Sequence, residues 1–296
     1  MGIRLIQDPY DSGHRDRRMG RGPGHLVEHG VIERLSEVGG RVDTCEIEFE
    51  TAFPIEMATT FGVLRAIAEE VRHAREQGDF PVVLSGSCNS TAGALASFSD
   101  QRLGLIWFDA HGDFHTPETT TSGFMGGLPL SIVVGHCWQS MAASIPGFTP
   151  TPENRVVMIG LRDVDPGEEE RFAASEITTL HFEQLRDSGI EAVLRPVLES
   201  LQGEVDGLYV HLDLDVFDQE AAPVNPYQVA GGMSVEEVES CFRMAASLLP
   251  IVGASVTAYD PTCDPLGRGR AVSLDAIALL GSLGRQGSSQ EERESS

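Results

Sequence analysis

The chain has 296 residues, of which 41% are hydrophobic, and its 45 acidic and 21 basic side chains give a formal net charge of −24 at pH 7. This charge argues against nucleic acid or an anionic membrane surface as a partner, because both are bound by basic patches. No apolar run approaches the roughly 18 residues that span a bilayer. Residues 1–9 lack the pattern of a signal peptide, and the five cysteines have no paired spacing, which favours a reducing compartment. We therefore expect a cytoplasmic protein with a sizeable core.

Apolar, strand-like runs alternate with helical patterns along the whole chain. The eight predicted strands cover residues 3–7, 42–47, 81–84, 103–108, 155–160, 177–181, 207–212 and 251–257. The predicted helices cover residues 55–77, 90–97, 190–201, 234–248 and 271–283, with a further short helix between the fifth and sixth strands. This alternation indicates βαβ units and a mostly parallel sheet. No linker rich in Gly, Ser or Pro divides the chain, so we expect one domain over residues 1–285, followed by a polar, disordered tail over 286–296.

Two of the predicted strands end abruptly at acidic residues. The strand over 103–108 is followed by Asp109, His111 and Asp113, and the strand over 207–212 by Asp213 and Asp215. The carboxyl ends of parallel strands form the edge at which open α/β folds bind ligands. A single Asp-x-Asp is most often a solvated turn. Two such motifs at strand ends instead favour a site for two divalent cations, because the converging carboxylates would otherwise repel one another.

The segments around these residues resemble the arginase/agmatinase family, the ureohydrolases. Besides the two acidic motifs, the resemblance rests on residues 21–23, 116–123, 159–168 and 231–232, and it extends to about residue 283. It implies a three-layer α/β/α fold with a central parallel sheet of about eight strands. It also implies a hydrolase that acts on C–N bonds of linear amidines with two Mn²⁺ ions.

The resemblance implies metal ligands in both acidic motifs. Those that would bridge the two ions are Asp109 and Asp213, the further ligand of the first ion is Asp113, and those of the second are His111 and Asp215. Asp113 is in addition a candidate for relaying a proton to the departing nitrogen.

The sixth ligand of the family is a histidine, and Cys88 occupies its position after the apolar run 82–84. A free cysteine is most often a small buried hydrophobic residue, but at this position we interpret Cys88 as a metal ligand. A thiolate is softer than an imidazole and adds a negative charge. Fe²⁺, Co²⁺ and Zn²⁺ are therefore alternatives to Mn²⁺.

Two residues with which arginases handle the guanidinium are missing. Gly126 stands in the segment where arginases have a proton-shuttling histidine, and Ala258 or Tyr259 stands where they have a glutamate that pairs with the guanidinium. No carboxylate falls there unless Asp260 reaches in. An arginase-like subgroup that acts on N-hydroxy-L-arginine is similar in having Cys for His and in lacking the shuttle, and this chain resembles that subgroup.

The residues that are expected to bind the amino-acid end of the substrate match the family pattern more closely than those at the guanidinium end. By resemblance, Asp165 and Glu168 bind the α-amino group and Ser122 binds the carboxylate. His115 replaces an asparagine of arginases, and we interpret it as a carboxylate ligand or a substitute proton carrier, with an ordinary loop histidine as an equal alternative. An amidino α-amino acid should therefore be preferred over a decarboxylated substrate such as agmatine.

The interpretation that joins these observations is a dinuclear metal-dependent amidinohydrolase that converts N-hydroxy-L-arginine to hydroxyurea and ornithine. A formimidoyl compound or another guanidino amino acid is the alternative substrate. A metal-binding pseudoenzyme is the alternative of a different class. The sequence leaves the oligomeric state open, a homo-oligomer included.

Overall fold

A computed structural model of the protein describes residues 2–51 and 55–294. Its strands are β1 (Ile3–Asp8), β2 (Tyr10–Asp11), β3 (His14–Arg15), β4 (Val42–Glu46), β5 (Phe80–Ser85), β6 (Leu103–Phe108), β7 (Val156–Leu161), β8 (Thr178–His181), β9 (Gly207–Asp213) and β10 (Ile251–Thr257). Eight of them form one parallel sheet in the order β4-β1-β5-β10-β9-β6-β7-β8. The other two, β2 and β3, pair as a short antiparallel hairpin.

Helices cover both faces of this sheet. They are α1 (Gly22–Glu28), α2 (Val31–Gly39), α3 (Glu56–Glu76), α4 (Ser90–Leu95), α5 (Pro129–Val133), α6 (Gln139–Ala142), α7 (Pro166–Ala173), α8 (Phe182–Ser188), α9 (Ile190–Leu201), α10 (Val235–Leu248) and α11 (Arg268–Glu294). Side chains of α1, α2 and α8–α11 pack on one face, and those of α3–α6 pack on the other. Every residue of β5, β6, β7 and β9 is buried, as expected for strands covered on both faces. The predicted three-layer α/β/α fold is confirmed.

All eight strands predicted from the sequence are present, with ends that differ by at most one residue from the prediction. The helices that the sequence analysis missed are α1, α2, α5, α6 and α8, none of them longer than nine residues. Helices this short complete too few turns to show a clear hydrophobic periodicity. No helix in residues 2–51 and 55–294 combines the length and the apolar character needed to cross a membrane.

The C-terminal helix differs from the prediction. Disorder was predicted for residues 286–296, whereas α11 continues to Glu294 and so includes residues 286–294. No proline interrupts this segment, and its Gln, Glu and Arg residues have good helix propensity. The last two residues of the predicted tail lie outside the described part of the chain.

The register of the strands brings several polar residues to one edge of the sheet. Phe108 at the end of β6 pairs with Leu212 on β9, so Asp109 and Asp213 follow at the same level. Thr257 at the end of β10 pairs with both Asp213 and Ser85. The loop that leaves β5 therefore begins beside the two aspartates.

Asp8 ends β1 at the same edge and is buried. It accepts hydrogen bonds from the Ser85 hydroxyl (2.6 Å) and the Tyr10 backbone N–H (3.3 Å). Burial nevertheless dominates and raises the pKa of Asp8 to about 7. The folded chain therefore binds the Asp8 proton more tightly than the unfolded chain does, and this contribution to stability is lost as pH rises from about 4 to about 7.

We predict that Asp8→Asn makes the free energy of unfolding less dependent on pH in this window. The variant should gain stability relative to the parent protein at about pH 7.5, because it buries no charge there, and should gain little at about pH 4. Urea unfolding of both metal-free proteins at the two pH values measures the effect. Asp43→Asn, which changes a part-exposed acid on β4, is the matched control. An equal effect of Asp8→Asn at both pH values would contradict the prediction.

Candidate metal centre

Two aspartates at the ends of β6 and β9 are held in the same way. Asp109 Oδ1 accepts a hydrogen bond from the backbone N–H of His111 (2.7 Å), and Asp213 Oδ1 accepts one from the backbone N–H of Asp215 (2.8 Å). Each bond closes a local turn in which an aspartate is fixed by the backbone two residues on. The indole N–H of Trp107 donates to the other Asp109 oxygen (3.0 Å). Both carboxylates are thus oriented while lone pairs remain free, because each carboxylate has about four acceptor sites.

Asp109 belongs to two groups of potential metal ligands. In one group, ligand atoms of Asp109, His111 and Asp215 all lie within 4.8 Å of one another. In the other, ligand atoms of Asp109, Cys88 and His211 satisfy the same limit. A carboxylate shared by two neighbouring groups is what a bridging ligand of a two-metal site requires.

Cys88 and Asp113 join the cluster from two loops. The buried thiol of Cys88 donates a hydrogen bond to Asp213 Oδ2 (3.0 Å) and lies 3.3 Å from Thr257 Oγ1. Asp113 is also buried, and its Oδ2 has no hydrogen-bond partner among the described residues. The structure therefore brings together the whole predicted metal set, namely Cys88, Asp109, His111, Asp113, Asp213 and Asp215.

Burial and mutual repulsion control the protonation of this cluster. The pKa values of Asp113 and Asp213 lie well above the usual range of an aspartate, first because burial penalises the charged form and then because nearby carboxylates repel it. The pKa of the Cys88 thiol is raised by the same two causes. For Asp215, burial acts in the same direction, but the adjacent His111 outweighs it and the pKa falls to about 2. Without bound cations, Asp113, Asp213 and Cys88 thus keep their protons more readily, and bound cations would displace these protons.

The donor chemistry of the cluster fits two divalent cations. Four aspartates and one thiolate bring five negative charges when ionised, and two such ions bring four positive ones. Asp113 Oδ2 is a buried atom without a hydrogen-bond partner in the described structure, so it has a lone pair with which it could bind a cation. Carboxylate oxygens suit Mn²⁺, and the Cys88 sulfur suits softer ions.

The cluster lies at a cleft of about 220 Å³. The predicted residues for catalysis and substrate binding outside the metal set all line this cleft, namely His115, Ser122, Asp165 and Glu168. His115 bridges two of the loops, because its Nε2 lies 3.0 Å from Asp165 Oδ2 and its Nδ1 lies 3.1 Å from Thr119 Oγ1. The predicted site residues therefore share one cavity.

Glu168 has a structural function that the sequence did not indicate. Its two carboxylate oxygens accept hydrogen bonds from the backbone N–H groups of Phe114 (2.8 Å) and Asp165 (3.2 Å). The second bond is half of the capping box at the start of α7. Glu168 therefore fixes the loop that follows the acidic motif, and a substrate amine would have to bind its remaining lone pairs.

The ring of Phe124 occupies the space beside Gly126. A Cβ atom at position 126 would lie 2.4 Å from Phe124 Cε1, so a histidine would not fit there unless Phe124 moved. Phe124 stacks on Tyr227 with ring centroids 5.6 Å apart, and the Arg18 guanidinium lies 5.4 Å from its centroid. The Phe124 and Tyr227 rings and the Arg18 guanidinium therefore lie in the part of the cleft where the resemblance places the proton-shuttling histidine of arginases.

The sequence leaves open whether Ala258 or Tyr259 stands at the position of the guanidinium-binding glutamate. In the structure, Ala258 is the one that lines the cleft. The hydroxyl of Tyr259 donates to Asp264 Oδ2 (3.0 Å). Asp260 Oδ1 accepts hydrogen bonds from the backbone N–H (2.9 Å) and the hydroxyl (2.7 Å) of Thr262. Within the described structure, Asp260 does not reach the cleft. At the position where the resemblance predicts the guanidinium-binding glutamate of arginases, the cleft is thus lined by a methyl group.

The sequence analysis overlooked Asp11 as a cleft residue. Asp11 is fully buried, lines the cleft and has no hydrogen bond to either carboxylate oxygen from the described residues. Arg18 Nε lies 2.7 Å from Asp11 Oδ2, but this ion pair lacks the alignment of a hydrogen bond. Burial raises the pKa of Asp11 to about 6, against the opposing effect of Arg18. Only the fold of the loop after β1 brings Asp11 here, so no local motif could have indicated it.

His211 was also missed, because it lies inside an apolar strand run. It stands two residues before Asp213 on β9, and side chains two apart on a strand point to the same face. That spacing was the available signal. Burial lowers the pKa of His211 to about 3, so its imidazole is neutral at physiological pH.

Comparison with known proteins agrees with this arrangement over the length of the chain. The sequence model of the arginase family matches residues 2–280. The arginase of Bacillus caldovelox is 32% identical over 300 aligned positions, which cover 95% of this chain and 97% of that protein. The crystal structure of the arginase from Bacillus cereus has a TM-score of 0.85 at 31% identity and covers 96% of this chain and 98% of its own. The formimidoylglutamase of Bacillus subtilis has a TM-score of 0.72 at 17% identity, with 96% and 88% covered, which is a likeness of fold.

We predict that Mn²⁺ raises the midpoint of thermal unfolding of the metal-free protein by about 4 °C or more. Ions that bind only the folded chain stabilise it by about 2.7 kcal/mol at a hundredfold excess over Kd, and each kcal/mol moves Tm by about 1.6 °C in a chain of this length, because the unfolding entropy is about 2.1 cal/mol/K per residue. Differential scanning calorimetry measures the shift. Asp213→Asn should reduce it, whereas Asp206→Asn, which changes a surface acid paired with Arg102, should not. An unchanged midpoint with Mn²⁺, Co²⁺ and Zn²⁺ would argue against the site.

Proposed function

The chain belongs to the arginase family of binuclear metal-dependent hydrolases that cleave C–N bonds of linear amidines, and from this premise we propose that it hydrolyses N-hydroxy-L-arginine to hydroxyurea and ornithine. The catalytic unit is one domain over residues 1–285. The observation that carries the proposal is the shape of the cleft beside the metal cluster, where Phe124 fills the space at Gly126 and Ala258 presents a methyl group.

Gly126 and Ala258 both affect how well the cleft accepts a basic substrate. The guanidinium of arginine stays charged, because its pKa lies above about 12. A desolvated cation without a counter-charge costs several kcal/mol as an order of magnitude. An N-hydroxyguanidine is much less basic and enters such a cleft more easily in its neutral form. Its leaving group also depends less on a dedicated histidine for protonation.

Asp11, which also lines the cleft, supports the same assignment. Its buried carboxylate can accept hydrogen bonds, because neither oxygen receives one from the described residues. A hydroxyl or N–H group of an N-hydroxyguanidine would satisfy it. We therefore assign Asp11 to the amidine end of the substrate.

The amino-acid end is assigned to the loop residues that line the cleft. As the resemblance to arginases implies, Asp165 and Glu168 would bind the α-amino group, and Ser122 would bind the α-carboxylate. His115 is hydrogen-bonded to Asp165 (3.0 Å). This contact favours a positioning role for His115 at the amino-acid end over proton transfer at the amidine carbon.

The metal ligands are assigned to Cys88, Asp109, His111, Asp113, Asp213 and Asp215. When bound there, two divalent cations would supply the positive charge that activates water and polarises the amidine. Mn²⁺ is the typical metal of the family, and the Cys88 sulfur extends the range towards Fe²⁺, Co²⁺ or Zn²⁺. Trp107 orients Asp109 through its indole N–H, which holds the first carboxylate in its productive rotamer.

Asp113 is assigned a second task, the transfer of a proton to the departing nitrogen. Its side chain lines the cleft, and its Oδ2 has no hydrogen-bond partner in the described structure. This oxygen can take the proton released by water and deliver it to the ornithine nitrogen as the C–N bond breaks, so that hydroxyurea and the side-chain amine of ornithine both form as neutral groups, and the amine then takes a further proton from solvent.

A formimidoyl amino acid is the second candidate substrate, and Ala258 is the observation that favours it. A formimidoyl group has no second terminal nitrogen to pair with a carboxylate at that position. The contribution of Asp11 distinguishes the two candidates, because a substrate with an N-hydroxyl group offers it a donor that a formimidoyl group lacks.

We predict that N-hydroxy-L-arginine is hydrolysed with a kcat/KM at least about tenfold above that of L-arginine, which corresponds to about 1.4 kcal/mol in the barrier. The assay compares both compounds with agmatine and a formimidoyl amino acid, using protein loaded separately with Mn²⁺, Co²⁺, Fe²⁺ and Zn²⁺. Asp11→Asn should lower the rate with N-hydroxy-L-arginine more than with the formimidoyl compound. Ala258→Glu should shift the preference towards L-arginine. Faster turnover of agmatine than of every amino-acid amidine would contradict the assigned amino-acid end.

We also predict that Cys88→Ala lowers metal affinity at least about tenfold, the lower end of the effect of altering a metal environment. Cys88→His should retain metal, because it restores the residue that the family has at this position. Metal content after gel filtration and calorimetric titration are the measurements. Cys241→Ala removes a buried thiol on α10, away from the cleft, and controls for the loss of a core sulfur. Unchanged metal content in Cys88→Ala together with full activity would remove Cys88 from the ligand set.

A further inference from the structure

His211 lies directly beneath the metal cluster. It is completely buried on β9, where it pairs in register with Trp107 of β6. The two rings are stacked, with centroids 3.7 Å apart and an interplanar angle of 29°. Trp107 in turn holds Asp109, so the imidazole is packed against a residue that already orients one ligand.

The two nitrogens of His211 have different surroundings. Nδ1 lies 2.7 Å from the hydroxyl oxygen of Thr91 on α4. Nε2 is buried and has no hydrogen-bond partner among the described residues. A buried polar atom without a partner is costly and rare, and in a native structure it requires an explanation.

A metal ion bound by Nε2 is an explanation that the surroundings of the ring support. One ring nitrogen of His211 and ligand atoms of Cys88 and Asp109 all lie within 4.8 Å of one another, and Nε2 is the nitrogen that does not contact Thr91. Nitrogen and sulfur ligands bind an ion at about 2.0–2.3 Å, so the donor atoms that share one ion lie close together, and small side-chain movements would bring these three residues to one ion. In the tautomer whose Nδ1 carries the proton and donates it to Thr91, the lone pair of Nε2 is free. A hydrogen bond from the other ring nitrogen is the usual way in which a metal-binding histidine is oriented.

We infer that His211 Nε2 is a seventh protein ligand of the metal centre and binds the ion that Cys88 and Asp109 bind. This inference rests on the proposed metal set. The imidazole that is missing at position 88, after β5, is thereby supplied from β9, two strands away in the sheet. The ion held by Cys88, Asp109 and His211 has one sulfur, one oxygen and one nitrogen donor in this group, a softer set than that of His111, Asp109 and Asp215. The two positions should therefore differ in metal preference, with Co²⁺, Fe²⁺ or Zn²⁺ favoured at the first.

The test is His211→Phe, which keeps an aromatic ring against Trp107 and removes Nε2. Metal affinity should fall at least about tenfold, and the metal-free variant should unfold no more easily than the metal-free parent, because it loses an unpaired buried nitrogen. Pulsed electron paramagnetic resonance of the Mn²⁺ protein should detect nitrogens of two histidines in the parent and one in the variant. His73→Phe on the surface of α3 makes the same exchange away from the cluster and should change none of these values.

Three outcomes would overturn the inference. Unchanged affinity and nitrogen coupling in His211→Phe would show that the imidazole does not bind the ion. A lower stability of the metal-free variant with unchanged affinity would assign His211 to packing. Weaker binding with both nitrogen couplings retained would mean that His211 acts through Cys88 instead.

Thr91→Val provides a second variant if His211→Phe does not fold. It removes the partner of Nδ1 at nearly constant volume, and it should weaken metal binding less than the loss of Nε2 would. Metal affinity unchanged in Thr91→Val, with the same nitrogen coupling as the parent, would then count against the inference. All these measurements are made without substrate. A protein that fails to hydrolyse N-hydroxy-L-arginine can still pass them, so failure of the inference and failure of the proposed function remain distinguishable.

Discussion

The repulsion between acidic groups buried at one edge of the sheet is the constraint on which the site depends. Asp109, Asp113 and Asp213 can be ionised together only if positive charge is brought among them. The fold provides some of it in Arg162, whose guanidinium donates to the backbone carbonyls of Asp215 (2.6 Å) and Val216 (3.2 Å). That contact fixes the loop after β9 more than it neutralises the carboxylates. The remaining positive charge must come from outside the chain, and bound metal ions would supply it.

The departures from arginases around this centre come in pairs that explain each other. A glycine at 126 is needed because the Phe124 ring occupies the adjacent space, so exchanging either residue alone would leave a clash or a void. Cys88 and His211 form a second pair, because both contribute potential ligands to the same group as Asp109. These two pairs of neighbouring residues distinguish the cleft from the arginase pattern that the sequence resembles.

Much of this could be predicted from the sequence, and each exception has a physical cause. The strands were predictable because buried parallel strands are continuous apolar runs, and the acidic motifs because they interrupt those runs. Cys88 was identified because the segment after β5 resembles the family motif that contains the sixth ligand. Asp11 was not found, since nothing in the local sequence of the β2–β3 hairpin indicates what the tertiary fold places beside it. His211 was not found because its two-residue spacing from Asp213 lies inside an apolar run. Only the hydrogen bonds of Asp260 to Thr262 in the structure show that its carboxylate is directed to Thr262 and not into the cleft.

The pairing of Phe108 with Leu212 has a consequence for how this protein can evolve. Successive side chains of a strand point to opposite faces, so a single inserted or deleted residue in β6 or β9 would turn Asp109 or Asp213 away from its partner. Length changes in these two strands should therefore be excluded among active relatives. The surface connections, such as the one between α6 and β7, are free to vary in length. Substitution, not insertion, is the route left open for altering the centre.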